Sequence, residues 1–477
     1  MKTQRILLVM LAMLAGGCTL GPDYQRPELA VPASYRSDSP GAAEGTPFAD
    51  TGWWQIYRDP QLQALIRDAL RNNPDIAIAV ARLEQAQAVL GSTRFQLLPN
   101  VSIDGGFDRS AVSEYKRSPT QDSISNTWSL QAAVSYELDL WGRLRRLNES
   151  ARAQLLAAEY NRQAAVASLI SSTATAWFNL VALDEQLKAL RDTLGYRQKF
   201  LELTQARKAS GAASGLEVLS AESQLSSARV SIADVERQIA QTENLISTLA
   251  GHNPDTVQRQ PPATTALLDG SLPPAGLPAQ LLERRPDLRA AEAALISSNA
   301  LVGATKASLF PTISLTGIFG AVSEEFSDLL TGDAIAWSAG GGVVLPLLDA
   351  QRNLYQLDAA KARQREASEQ YRRAALTAMR EVADALVERQ KQAESLQFQQ
   401  QQTDSLTKAR DIAMQRYRTG YSSYFEVITA ERDLSAAQLQ LALSRRNLQL
   451  SVVRLYLALG GGWTQEPTAE TEARATN

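Results

Sequence analysis

Four short stretches of the chain alternate apolar and polar residues with a period of two, the pattern of a strand whose faces meet different surroundings. Val101, Ile103, Gly105 and Phe107 alternate with Ser102, Asp104 and Gly106, and Trp128, Leu130, Ala132, Val134, Tyr136 and Leu138 alternate with polar or small residues. A second pair follows the same scheme, with Ile313, Leu315, Gly317 and Phe319, then Trp337, Ala339, Gly341, Val343 and Leu345. Strands are predicted over about 100–108, 127–139, 312–320 and 336–346, joined within each pair by polar loops at Arg109–Asn126 and Gly320–Ala336. Each is close to the length that a tilted strand needs to cross a bilayer. Taken alone, such segments also suit an ordinary hairpin packed on a soluble core.

Elsewhere the spacing lengthens to that of a helix. Leu180, Leu183, Leu187, Leu190 and Leu194 step by threes and fours, as do Ile232, Val235, Ile239, Thr242 and Ile246, so these segments carry coiled-coil seams. Helices are predicted over Pro60–Phe95 and Pro278–Leu309, stopped by Pro99 and Pro311, and over Leu144–Lys208 and Asn353–Arg418. Each of the long pair would extend about 100 Å at about 1.5 Å per residue. Turns at Ala209–Gly215 and Thr419–Ser423 lead into return helices ending at Gly251 and Gly460.

These elements are written twice. Trp128 and Trp337, Gly211 and Gly420, Glu222 and Glu431, and Gly251 and Gly460 are all offset by 209 residues. Upstream of the tryptophans the offset is 212, as in Asn73-Pro74-Asp75 against Arg285-Pro286-Asp287. A unit near 200 residues exceeds a solenoid repeat and indicates two equivalent halves of one architecture. The chain divides into a signal (1–17), an extended tether (18–59), a first repeat (60–251), a linker (252–277), a second repeat (278–462) and a flexible tail (463–477).

Composition narrows the function. The N-terminus has basic Lys2 and Arg5, an apolar stretch from Ile6 to Ala15 too short to span a bilayer as a helix, and Gly16-Gly17 before Cys18. That is a secretory signal. Leu14-Ala15-Gly16-Gly17-Cys18 resembles a bacterial lipobox, which implies an acylated Cys18, and Thr19 after it fits outer-membrane sorting. One cysteine and one histidine, His252, leave no disulfide and no His/Cys metal set, and the single histidine follows a helix-ending glycine, where a solvated capping role is expected. Net charge is −3, or −5 without residues 1–17, with both signs mixed along the chain, which gives no support for nucleic-acid binding. No nucleophile, base and orienting group stand out as an enzyme's set. Signal and lipobox favour membrane strands over a soluble hairpin. Four strands cannot close a barrel and lipid does not tolerate open edges, so several chains must contribute; three would supply twelve strands.

Specific motifs resemble the bacterial outer membrane factors, the TolC-like exit ducts of tripartite efflux pumps, and within them the lipoprotein branch of OprM and CusC. The resemblance rests on Gly21-Pro22-Asp23-Tyr24 with Arg26-Pro27, Glu137-Leu138-Asp139-Leu140-Trp141-Gly142-Arg143, Arg285-Pro286-Asp287, Phe310-Pro311 and Leu459-Gly460-Gly461-Gly462-Trp463. It implies a mixed α and β, internally duplicated fold: four antiparallel membrane strands per chain in a trimeric 12-strand β-barrel, continued by a long α-helical coiled-coil barrel in the periplasm. It further implies no enzyme chemistry and no cofactor beyond lipid on Cys18. The partners it implies are two further copies, a periplasmic membrane-fusion adaptor, an inner-membrane pump of the RND type and outer-membrane lipid. The alternatives are a structural coiled-coil envelope lipoprotein and the exit duct of a type I secretion system.

By the same resemblance Tyr417 matches the gate tyrosine in its Tyr-x-x-Gly setting, with Glu217 as the acidic acceptor of its bond. Glu426 falls at the first carboxylate ring of the pore constriction, Thr429 stands at the second ring position where relatives often carry Asp, and Ser422 replaces the gate arginine. Lys208 occupies in the first half the place of Tyr417, so the duplication is broken at the helical turns.

Overall fold

The computed structural model describes residues 19–35, 48–115, 123–259, 278–347 and 349–463. The signal, Cys18, most of the linker and the tail beyond Trp463 lie outside them. After a 3-10 turn at Phe48–Asp50, the elements are α1 (Trp53–Ile56), α2 (Pro60–Asn72), α3 (Pro74–Phe95), β1 (Asn100–Ala111), β2 (Ile124–Leu138), α4 (Arg143–Ala209) and α5 (Gly215–Leu249). The second half gives α6 (Pro278–Arg284), α7 (Pro286–Ala307), β3 (Thr312–Ser323), β4 (Ile335–Val344), α8 (Ala350–Arg418) and α9 (Tyr424–Ala458). Lengths match across the duplication: 22 residues in α3 and α7, 67 and 69 in α4 and α8, and 35 in both α5 and α9.

Three expectations need correction. The helices predicted over Pro60–Phe95 and Pro278–Leu309 each break once, at Asn73 and at Arg285, because a following proline crowds the α conformation of the residue before it. Asn73 accordingly takes an extended conformation, at φ −66° and ψ 127°. The tether leaves its extended course at Phe48, where burial of Phe48, Trp53, Ile56 and Tyr57 folds it into short helical turns. The strand-joining loops are shorter than predicted, since β1 runs on to Ala111, β2 begins at Ile124 and β3 runs on to Ser323.

Two compact units emerge. The first holds the described residues up to Leu29, Arg82–Glu159 and Ala290–Arg372. Its sheet is antiparallel in the order β1-β2-β3-β4. Residues directly opposite in such a sheet share a face. One row runs Ile103, Ala132, Phe319, Trp337, another Val101, Val134, Gly317, Ala339, and a third joins Leu138, Ile313 and Val343. All the residues read as apolar-facing, save Leu345 beyond the end of β4, therefore fall on one side, and Ser102, Asp104, Gln131, Ser135, Glu137, Ser314 and Thr316 fall on the other. That apolar side is uncovered in the single chain, with Ile103 77% and Trp337 75% exposed. Phe107, Trp128 and Phe326 cluster on it, with ring centroids 4.4 and 5.0 Å apart.

The motif from Glu137 to Arg143 turns strand β2 into helix α4. Asp139 accepts from the backbone N–H groups of Leu144 and Arg145 at 2.9 and 3.0 Å, capping the helix, and Arg143 pairs with Glu137 through two bonds of 2.9 and 2.7 Å. Trp141 donates its indole N–H to the Pro311 carbonyl at 2.7 Å. Gly142 has φ +76° and packs against Thr19, leaving no room for a side chain. The segment after Cys18 is bound here too: the Leu20 N–H reaches the Trp141 carbonyl at 3.0 Å, Asp23 pairs with Arg146 at 2.7 Å, and Arg26 with Glu292 at 2.6 Å.

The second unit holds Ala30–Ala81, Tyr160–Arg289 and the described residues from Arg373 on. The predicted seams pack together in it. Leu180, Leu183, Leu190, Val235, Ile239 and Ile246 form one buried cluster, joined by Leu187 and Ile232. Asn73 and Arg285, equivalent in the repeat, do one job with different chemistry: each donates to the carbonyl that ends a return helix, Leu249 at 2.9 Å and Ala458 at 3.1 Å. His252, predicted to be a solvated cap, bonds Asp68 at 2.8 Å on the surface.

Candidate functional site

The turns α4–α5 and α8–α9 are built alike. Gly211 and Gly420 adopt φ +77° and +85°, which closes each long helix in a left-handed cap. Ser214 then caps α5 by accepting from the Glu217 N–H, and Ser423 caps α9 by accepting from the Glu426 N–H. Ser214 and Glu217 complete a reciprocal capping box, whereas in α9 only the serine half is made, and both glutamates stand where the helices begin.

Tyr417, in the last turn of α8, is 2% exposed. It packs with Phe200, Met414 and Val427, and Tyr424 stacks on Phe200 at 5.5 Å. The Arg207 guanidinium lies 4.5 Å over the Tyr417 ring and donates to the Tyr417 carbonyl at 2.9 Å. Burial pushes the Tyr417 phenol upward, and Glu217 adds to the rise against the opposing pull of Arg207. The hydroxyl itself is buried, with Thr204 and Glu217 near enough to act on it but neither in ordinary hydrogen-bond geometry, so the bond expected between Tyr417 and Glu217 is not closed in the single chain. Glu217, close enough to act on it electrostatically, spends its carboxylate on Ser214, accepting from the N–H and the hydroxyl at 3.3 Å.

The remaining predicted positions lie on α9. Glu426 is exposed and accepts from the Ser422 hydroxyl at 2.7 Å, so the residues expected at the gate-arginine and first-ring positions are partners of one another. Thr429 is half-buried one turn further along.

Two residues were not singled out from sequence as site residues. One is Arg207. The other is Glu431, noted only as the repeat partner of Glu222, yet 5% exposed between α4 and α9. Burial pushes its carboxyl up to about 7, against the pull of Arg197 and Arg410; the Arg410 guanidinium is 3.7 Å away. The spacing of Val427, Glu431 and Leu434 on α9 was the available signal, since it puts an acid on the buried stripe.

The sequence pattern of the outer membrane efflux protein family matches residues 65–252 and 277–461. The starts of these stretches are 212 residues apart and their ends 209, the two offsets of the internal repeat. The chain belongs to the outer membrane efflux protein family. It is 33% identical to the toluene efflux pump outer membrane protein TtgC of Pseudomonas putida, over 100% of this chain and 99% of that one. It is 32% identical to the cation efflux system protein CusC of Escherichia coli, over 98% and 100%. The solved outer-membrane channel OprN superposes with a TM-score of 0.86 at 31% identity, covering 94% of this chain and 100% of that one. The fold is therefore the duplicated, TolC-like fold of outer membrane factors. The protein is the outer-membrane channel component of an efflux system, located in the outer membrane with a periplasmic extension.

Proposed function

We propose that the working form is a homotrimer whose three sheets close a twelve-stranded barrel in the outer membrane, continued by the helical hairpins as a periplasmic tunnel. The observation that carries this reading is the sheet: one face apolar and uncovered, with β1 and β4 as edges that pair no further strand among the described residues. Lipid offers backbone groups no hydrogen bonds, so those edges need strands from other copies. Barrels of about eight strands are filled by side chains, and a conducting duct takes more.

The duct is passive and takes cargo from a periplasmic membrane-fusion adaptor and an inner-membrane pump of the RND type. Relatives of nearly equal identity, 33% and 32%, bear the names of a toluene and a cation system, which fits a channel whose cargo is chosen by its pump. Acyl chains on Cys18 add membrane affinity beside the strand–helix junction, where Leu20 is bound. Tyr417 and Glu217 form the gate, and three copies of Glu426 around the axis attract cations, with Thr429 adding no second carboxylate ring. Tyr417→Phe combined with Glu217→Gln is expected to raise single-channel conductance of the purified protein in planar bilayers. Unchanged conductance counts against the gate.

A further inference from the structure

We propose that Arg207 is the latch of this gate: a guanidinium supplied by the first hairpin to the second, in place of the arginine that Ser422 lacks. The inference rests on the gate reading of Tyr417 and deepens it by naming the group that holds the tyrosine.

Three observations carry it. Arg207 sits in the last turn of α4, and both its contacts with Tyr417 cross from one hairpin to the other: the hydrogen bond of 2.9 Å to the carbonyl and the stacking at 4.5 Å over the ring. A planar guanidinium can stack on the ring and donate to the carbonyl at once, whereas an ammonium is a point charge with no plane to stack. The site is also shielded. Tyr417 and the Nε of Arg207 are buried, and that Nε has no hydrogen-bond partner among the described residues, so the side chain is held through its terminal nitrogens and the face of the ring.

The third observation is the duplication. Arg416 is the repeat equivalent of Arg207 at an offset of 209. Each arginine donates to the carbonyl in its own turn, Arg207 to Ala212 at 3.5 Å and Arg416 to Tyr421 at 3.3 Å, and these two acceptors are again equivalent. Capping the turn is thus the shared task. Only Arg207 has the second one, because position 417 is a tyrosine while its equivalent, Lys208, is a cation with no ring to cover. Arg416 is exposed and Arg207 half-buried, in keeping with that division.

The test compares Arg207→Ala, Arg207→Lys and Arg416→Ala in the full protein, by single-channel recording in planar bilayers and by thermal melting. Both alanine variants remove a turn contact and should melt lower, Arg207→Ala the further because it also loses the contacts to Tyr417. Conductance should separate them: Arg207→Ala is expected to raise the ratio of open to closed time at least about tenfold, equivalent to about 1.4 kcal/mol, and Arg416→Ala to leave it unchanged. Arg207→Lys, which keeps the charge without the plane, should also open the channel, and it serves if the alanine variant does not fold. Equal opening in Arg207→Ala and Arg416→Ala, or none in Arg207→Ala and Arg207→Lys, overturns the latch. If the Tyr417→Phe, Glu217→Gln protein opens while the Arg207 variants stay closed, the gate stands and Arg207 is not its latch. If none of them opens, both readings fall.

Discussion

Replacing Glu431 with glutamine should stabilise this protein at neutral and alkaline pH and leave it unchanged in acid. The carboxyl is buried where α4, α8 and α9 meet, facing Tyr196 and Arg197 of α4 and Arg410 of α8, and its pKa is moved from an ordinary 4.5 to about 7. Desolvation dominates, outweighing two arginines, one of which is engaged elsewhere: Arg197 donates to the Gln224 carbonyl at 2.8 Å. Between pH 4.5 and 7 the folded chain holds a proton that the unfolded chain has lost, so stability falls as pH rises through that window and levels off above it. A rise of about two and a half pH units corresponds to about 3 kcal/mol per chain at full ionisation. Glutamine mimics the protonated acid at every pH and escapes the penalty. Melting temperatures of both proteins, followed by circular dichroism from pH 4 to 8, give a difference in which other titrating groups cancel. That difference should be near zero at the acid end and reach a few degrees in favour of Glu431→Gln at pH 8. A flat difference, or a less stable variant at pH 8, would show that the arginines outweigh burial and would refute the reasoning.

Two further outcomes are expected beside those given for Tyr417, Glu217 and Arg207. Cys18→Ala should abolish incorporation of labelled fatty acid, and persistent labelling would remove the lipid assignment. Glu426→Gln should lower cation selectivity, read as a shift of the reversal potential toward zero in a salt gradient; an unmoved potential would place Glu426 off the conduction path.

The strands were the most legible part of the chain because a sheet between lipid and water must alternate, and because a slip of one residue would turn every side chain to the wrong face. The register Ile103, Ala132, Phe319, Trp337 is that alternation carried across four strands. Helix seams were legible for a similar reason, as Leu180 and Ile246 show by meeting in one cluster. The breaks at Asn73 and Arg285 were not read as breaks, although the prolines after them were visible, because an apolar spacing that continues past a proline hides a change of direction. The neighbourhood of Tyr417 was legible only where family likeness supplied it. Nothing near Arg207 in sequence announces Tyr417, which lies 210 residues away, and only the packing of two hairpins brings them together.

The uncovered sheet face has a consequence for biogenesis. A single folded copy presents an apolar face and two open strand edges to water until something covers them. Such edges template pairing with whatever strand arrives, so assembly competes with aggregation and the balance depends on concentration. The face and edges that would be covered in an assembled barrel are thus the features that expose a solitary chain to aggregation, the more so as its concentration rises.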